Sequence, residues 1–154
     1  MATPDGQELI FAGRRGDVQQ LYRLRLDAEQ ADPIPGTEGA QLPAVSSDGR
    51  WLAFWSDRAL RKTLLAGGAV SVVAALNVRP FGLAWDRRGH LLFGTNSGIQ
   101  EVRTDGSVAQ VTSVATGEVA HVLPHPLGQG ETILFTVRKS FAYWGDEDLV
   151  AYTP

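Results

Sequence analysis

Ser47-Asp48-Gly49-Arg50-Trp51-Leu52-Ala53-Phe54 is the stretch that decides the fold, because an Asp-Gly pair stands directly before an apolar run. Two-residue hairpin turns need positive φ, which glycine adopts without steric cost and aspartate tolerates. The stretch therefore predicts a tight turn between two antiparallel strands. Similar stretches occur three more times, as Pro4-Asp5-Gly6-Gln7-Glu8-Leu9-Ile10-Phe11, Arg88-Gly89-His90-Leu91-Leu92-Phe93 and Gln129-Gly130-Glu131-Thr132-Ile133-Leu134-Phe135.

The four hairpins recur at a nearly fixed period, since their turn glycines are 43, 40 and 41 residues apart. Such a period, with a turn glycine before a short apolar run, is typical of β-propeller blades. The sequence therefore predicts an all-β fold, a β-propeller fragment of about three and a half four-stranded antiparallel blades. We expect a single partial propeller over residues 1–154, with repeats at roughly 3–40, 41–77, 78–120 and 121–154.

Each repeat divides into strands named A to D in chain order. In the second repeat they are predicted at 41–45, 51–55, 60–65 and 70–76, and in the third at 80–85, 91–94, 99–103 and 108–114. The first repeat shows no strand before its A–B turn, and the fourth shows strands at 123–126, 132–137 and 149–152 only. We therefore expect about twelve to fourteen strands in a piece of a longer propeller. Six glycines are assigned to structural turns: Gly6, Gly49, Gly68, Gly89, Gly106 and Gly130.

Composition excludes several classes of function. The 154 residues are 44% hydrophobic and 20% charged, which is ordinary for a globular protein. A net charge of −3 argues against nucleic-acid binding, which needs a basic face. There is no cysteine, so disulfides and thiolate chemistry are excluded. Because no long apolar stretch is present, we expect no signal peptide in this chain and no membrane insertion by it.

The spaced elements resemble the WD40-like propeller repeats of the TolB type. The resemblance rests on the first two hairpins, on Gln20-Leu21-Tyr22, on Pro33-Ile34-Pro35-Gly36-Thr37-Glu38-Gly39-Ala40 and on Ala66-Gly67-Gly68. It is closest to propeller regions appended to bacterial serine/threonine protein kinases, where an Arg-to-Trp strand and a His-x-x-Pro strand follow. Arg79 to Trp85 approximates the first of those strands with one extra residue, and His121 to Pro124 matches the second. The resemblance implies a sensory or interaction module in a periplasmic or extracellular region of a multidomain bacterial protein, without kinase activity.

Weak candidates for a metal site are Asn96, Glu118, His121 and His125. At regular strand spacing, His121 and His125 would share one face and could form a metal pair, and Glu118 is the nearest carboxylate. Asp57 and Asp86 could join Asn96 and Glu118 near a central channel, as in lactonase-type propellers that hold a divalent cation. The alternative interpretation is that these residues line a wet channel or cap turns. The stretch Pro80-Phe81-Gly82-Leu83-Ala84-Trp85 is also similar to repeats of lactonases and streptogramin lyases.

No catalytic motif is present: Gly-x-Ser-x-Gly, a P-loop and His-Glu-x-x-His are all missing from the sequence. We therefore predict no enzymatic activity for this chain by itself and no cofactor. The alternatives are part of a metal-dependent lactonase or lyase, or the propeller of a propeller-plus-hydrolase peptidase.

The binding surface is predicted in two polar loops, residues 14–17 and 140–148. Its contact residues are Arg14, Arg15, Tyr143 and Trp144. The partner is a protein or a small ligand whose identity the sequence does not give. Open blade edges also predict self-association.

Overall fold

The computed structural model describes residues 1–128, 131–142, 145 and 147–154, and all regular structure in them is β. The predicted all-β fold is confirmed. In chain order the strands are β1 (Glu8–Arg15), β2 (Val18–Arg25), β3 (Asp32–Pro33), β4 (Gln41–Val45), β5 (Trp51–Ser56), β6 (Ala59–Leu64), β7 (Ser71–Ala75), β8 (Leu83–Trp85), β9 (Leu91–Thr95), β10 (Gly98–Val102), β11 (Val108–Gln110), β12 (Ala120–Pro126), β13 (Ile133–Arg138) and β14 (Glu147–Tyr152). Across these described residues, no helix is long and apolar enough to cross a membrane.

The chain divides into two compact units, Met1–Arg79 and Pro80–Pro154. Their boundary falls between the second and third sequence repeats. The first unit contains the first blade, β1 to β3, and the second blade, β4 to β7. The second unit contains the third blade, β8 to β11, and the fourth, β12 to β14. The expectation that residues 1–154 form one partial propeller stays a prediction.

In the first unit, both blades are antiparallel meanders that share one apolar core. The strand orders are β1-β2-β3 and β4-β5-β6-β7. The buried cluster consists of Ile10, Leu21, Ile34, Ala40, Val45, Leu52 and Phe54. β5 is the central contributor, because Leu52, Ala53 and Phe54 are all fully buried. A strand buried on both faces reads as a continuous apolar run, which is how the sequence identified it.

In the second unit, the two meanders join into one sheet with the order β11-β10-β9-β12-β13-β14, and β8 also pairs with β9. The junction is a single pairing between His121 and Thr95. A methyl group added at Gly94 would lie 2.6 Å from the His121 carbonyl oxygen, so the two backbones are very close there. The core of this unit consists of Leu92, Ile99, Ile133, Phe135 and Val137.

The structure corrects two details of the predicted strands. A strand-like segment does precede the first turn, because Ala2 bridges to Leu9 and the Met1 amine donates a 2.8 Å hydrogen bond to the Ile10 carbonyl. The fourth strand of the third blade is also shorter than the predicted 108–114. It ends at Gln110, and Thr112 instead accepts a 2.9 Å hydrogen bond from the Ile99 N–H through its hydroxyl group.

Candidate functional site

A bulge recurs within, or directly before, the first strand of three blades. Leu42, Gly82 and Leu123 have φ values of 53°, 114° and 54°, and each lies seven residues before the turn glycine of its hairpin. At Leu42 and Leu123 the strand carries one residue more than its partner between consecutive pairings. Positive φ is unusual for leucine, so the bulge is imposed by the fold against local preference.

The bulge at Leu42 forms one wall of an open groove in the first unit, which we call the arginine groove. Its volume is about 600 Å³. Its lining residues come from the β1–β2 hairpin, the start of β4 and the end of the unit: Ala12, Gly13, Arg14, Gln19, Gln41, Leu42, Pro43 and Arg79. It therefore lies at the end of the blades where strands B and C are connected and strand A begins.

The arginine groove is rich in hydrogen-bond donors and contains no acid. The Arg79 Nε–H donates a 2.7 Å hydrogen bond to Gln41 Oε1, and the Gln19 amide donates to the Ala40 carbonyl at 3.3 Å. Among the described residues, neither Arg14 nor Arg79 forms an ion pair. Two cationic side chains thus line the groove without a neutralising carboxylate.

The placement of Arg14 and Arg15 in a loop was wrong. Both belong to β1, where they pair with Gln19 and Val18. The connection is only two residues long, as it is at the corresponding point of the second blade. It stays this short because Gly16, with φ of 60°, can occupy the first position of a tight hairpin turn. The Arg15 guanidinium lies 5.8 Å from the centroid of the Tyr22 ring, and Arg14 lines the arginine groove.

His121 sits at the centre of a buried hydrogen-bond network in the second unit. Its Nδ1 lies 2.6 Å from the Thr112 hydroxyl, and its Nε2 lies 2.9 Å from Glu118 Oε2. The ring also packs against Phe135 at 4.8 Å between centroids. Hydrogen bonds from the Ala115 N–H, and then from His121, lower the pKa of Glu118. Both imidazole nitrogens are therefore engaged within the protein.

The predicted pair of His121 and His125 does not form. His121 lies opposite Val137, whereas His125 lies opposite Leu134. Those two partners are three residues apart on β13, and neighbours on a strand alternate between faces, so the histidines lie on opposite faces. The bulge at Leu123 causes this change of face. His121 is buried and His125 is exposed.

The wider set of metal candidates is also dispersed. Asp86 precedes β9 and Asn96 follows it, so a strand of five residues, about 17 Å long, separates them. Glu118 and His121 are the one pair in direct contact among the candidates that the structure describes. Asp57 belongs to the other unit, where it faces Arg61 at 3.5 Å.

Sequence reasoning missed a cluster at the turn before β9. Ligand atoms of Asp86, His90 and Glu101 lie within 4.8 Å of one another, an arrangement that could hold a metal ion. Arginines already occupy this position, because Arg88 contacts Asp86 at 2.8 Å and Glu101 at 3.2 Å. Arg103 contacts the second oxygen of Glu101 at 2.8 Å. Glu131 also approaches Arg88, at 3.8 Å. Three carboxylates and two guanidinium groups therefore contact one another here, and we interpret the cluster as a structural ion network.

The second predicted contact loop is long, since β13 ends at Arg138 and β14 begins at Glu147. Tyr143 and Trp144, its predicted contact residues, lie outside the described residues, as does the turn glycine Gly130. The other assigned turn glycines all have positive φ: Gly6, Gly49, Gly68, Gly89 and Gly106.

Consecutive antiparallel meanders with these short turns define the fold as that of a β-propeller, and comparison with solved structures confirms it. TolB from Acinetobacter baumannii superposes with a TM-score of 0.78 at 17% identity, over 99% of this chain and 39% of that one. A putative TolB from Agrobacterium tumefaciens gives 0.77 at 19% identity, over 92% and 55%. A gluconolactonase from Xanthomonas campestris gives 0.67 at 16% identity, over 83% and 44%.

The predicted TolB-type propeller fold is thus confirmed, and at these identities the likeness shows the fold alone. The chain spans between 39% and 55% of the length of these three proteins. No protein-family model matches the sequence. No curated protein matches it either.

Proposed function

We propose that this chain is part of a non-catalytic β-propeller that binds a partner protein at the arginine groove. The observation that carries the proposal is the pair Arg14 and Arg79, which line an open groove of about 600 Å³ without an ion pair among the described residues. Exposed cations that no acid neutralises are available to a partner. A rigid propeller framework is well suited to present them.

The titratable clusters of the second unit support a binding role over catalysis. A general base needs a nitrogen or carboxylate that can reach a substrate proton. Both nitrogens of His121 are instead engaged by Thr112 and Glu118, and the carboxylates near His90 are ion-paired with arginines. These groups satisfy one another rather than facing open space.

The resemblance to propeller regions appended to bacterial serine/threonine kinases supports the same role. In that setting the propeller would sense or bind a partner outside the cytoplasm as one region of a larger protein. Arg79 to Trp85, which approximates one strand of those regions with one extra residue, begins at the arginine groove, because Arg79 is one of its lining residues.

The test is a pull-down in which the 154-residue chain captures its partner protein. The captured protein is then purified, and its binding to the chain is measured. We expect that changing both Arg14 and Arg79 to Gln abolishes the recovery of a specific protein. Changing Arg50 to Gln is the matched control, because Arg50 is exposed and does not line the groove. If the double variant and the control recover the same partner equally, the groove is not the binding surface.

A divalent-metal propeller enzyme is the second candidate, and Glu118 favours it. Its side chain is about a quarter exposed, and hydrogen bonds from the Ala115 N–H and His121 lower its pKa, which favours the ionised form. One structural neighbour is a gluconolactonase by its name. A saturable rise in melting temperature with calcium, magnesium or zinc, lost in Glu118→Ala or Asn96→Ala, together with gluconolactone hydrolysis, would support this candidate. We expect neither.

A further inference from the structure

We propose that the arginine groove recognises a carboxylate group of an acidic peptide segment. The inference rests on the proposed function, because it names the chemistry of the partner for the same groove. Among the described residues, no acid lines the groove beside the two guanidinium groups, so a bound carboxylate would balance a positive charge that the groove leaves unbalanced. Arginine also presents paired N–H donors whose spacing matches the two oxygens of a carboxylate.

The surroundings of Arg14 and Arg79 leave their positive charge uncompensated. Asp17 is the acid nearest to Arg14 along the chain, and it forms no ion pair among the described residues. At the other side, Arg79 is hydrogen bonded to the neutral side chain of Gln41. An amide partner orients a guanidinium group without cancelling its charge. The positive charge of the groove is therefore available to interact with a ligand.

Gln41 also orients the guanidinium group of Arg79 before a ligand binds. Its Oε1 accepts the Arg79 Nε–H at 2.7 Å, so the guanidinium is held from one edge. The terminal Nη groups of Arg79 remain for an incoming carboxylate. The amide nitrogen of Gln41 is a further donor, and no described residue accepts its hydrogen bond. A side chain that is already oriented loses less conformational entropy on binding.

The walls of the groove favour a peptide over other acidic ligands. Ala12, Leu42 and Pro43 supply small apolar surfaces, and Gln19 adds an amide that can bond a peptide backbone. None of the lining residues is aromatic, so the described groove has no platform for stacking a nucleobase. A volume of about 600 Å³ accommodates a short peptide segment.

The experiment is fluorescence anisotropy with the 154-residue chain and a fluorescein-labelled, C-terminally amidated hexapeptide that has two central glutamates. Its twin carries glutamines at those positions, and unlabelled glutarate is the small-molecule competitor. We expect the glutamate peptide to bind about tenfold or more tightly than the glutamine twin. Arg14→Gln and Arg79→Gln should each weaken binding by about tenfold, and Arg50→Gln should leave it unchanged.

Three results would overturn the inference. These are equal binding of the two peptides, loss of binding in Arg50→Gln to the same extent as in the groove variants, and no binding of the glutamate peptide at millimolar protein. If glutarate displaces the labelled peptide at the same concentrations as the unlabelled peptide does, the assignment to a peptide is overturned. If the glutamate peptide fails but the double variant still loses its purified partner protein, the proposed function stands and only the carboxylate inference falls.

Discussion

Replacing Gly98 by alanine should destabilise the second unit more than any other glycine-to-alanine change at a turn. Gly98 opens β10 opposite Thr95 and has φ of 127°. A methyl group built there would overlap the Thr112 carbonyl oxygen and lie 2.7 Å from its carbon. These atoms are backbone, so they cannot move aside as a flexible side chain would. The Thr112 hydroxyl also accepts the Ile99 N–H, which ties the two segments together.

The magnitude follows from two separate contributions. Positive φ with a Cβ costs about 1–2 kcal/mol. Forcing additional atoms into a packed site costs about 1–3 kcal/mol more. We therefore expect Gly98→Ala to lower the free energy of unfolding by about 2–5 kcal/mol. Gly106→Ala is the matched control in the same unit, because Gly106 has φ of 83° and no atom within 4 Å of the added methyl. Its cost should be about 1–2 kcal/mol, from backbone strain alone.

The assay is urea unfolding monitored by far-UV circular dichroism. The slope of the free energy of unfolding against urea concentration is compared among the unmodified chain and the two variants. The contact between Gly98 and Thr112 predicts a clear gap between the two variants. If Gly98→Ala and Gly106→Ala lose stability by amounts within about 0.5 kcal/mol of each other, the Thr112 backbone does not lie against Gly98 and the reasoning is refuted.

Four further predictions follow from single features of the structure. Leu123 is exposed with φ of 54°, so Leu123→Gly should leave the melting temperature unchanged or raise it slightly. Leu123→Val should lower the free energy of unfolding by about 1 kcal/mol or more, and equal effects of the two changes would contradict the bulge. The pKa of Glu118 in the folded protein lies below its ordinary value of 4.5. The stability that Glu118 adds relative to Glu118→Gln should therefore be complete above pH 4.5 and disappear as the pH falls through the lowered pKa, and a pH-independent difference in urea midpoints would count against this. Gly49→Val should cost at least about 1–2 kcal/mol in urea unfolding, because φ is 71° there, and an unchanged midpoint would disprove the turn. Light scattering should show self-association of the chain through open blade edges, and a stable monomer at high concentration would oppose that expectation.

Much of the fold was predictable because local chemistry and global architecture agree at the hairpins. Asp48 and Gly49 specify a turn by themselves, and the apolar run after them specifies a strand buried on both faces. The bulges were not predicted, although the sequence contains their signal. Leucine followed by proline stands seven residues before the turn glycine in two repeats, and Gly82 stands there in a third. Leucine disfavours positive φ, so propensity argued against the conformation that packing imposes.

The candidate site was predictable only in part, because its residues come from distant parts of the chain. Arg14 was singled out from sequence, but Arg79 follows it by 65 residues and carries no local signal of sharing a groove. The pairing of His121 and His125 failed for a related reason. The prediction assumed that side chains alternate regularly between the two faces of the sheet, but the bulge at Leu123 interrupts that alternation. Sequence spacing predicts a shared face only where the pairing is regular.

The distribution of acids explains why the arginine groove stands out. Asp5 and Asp48 lie in turns at the end of the first unit's blades opposite to the groove, and Asp105 lies in a turn of the second unit. In each case a neighbouring hydroxyl group, and then a backbone N–H, donates to the carboxylate and lowers its pKa. These aspartates are occupied in shaping turns, as Asp-Gly hairpins require. Arg14 and Arg79 shape no turn and meet no acid among the described residues, and a charge that no acid balances is the feature from which a binding function can be argued.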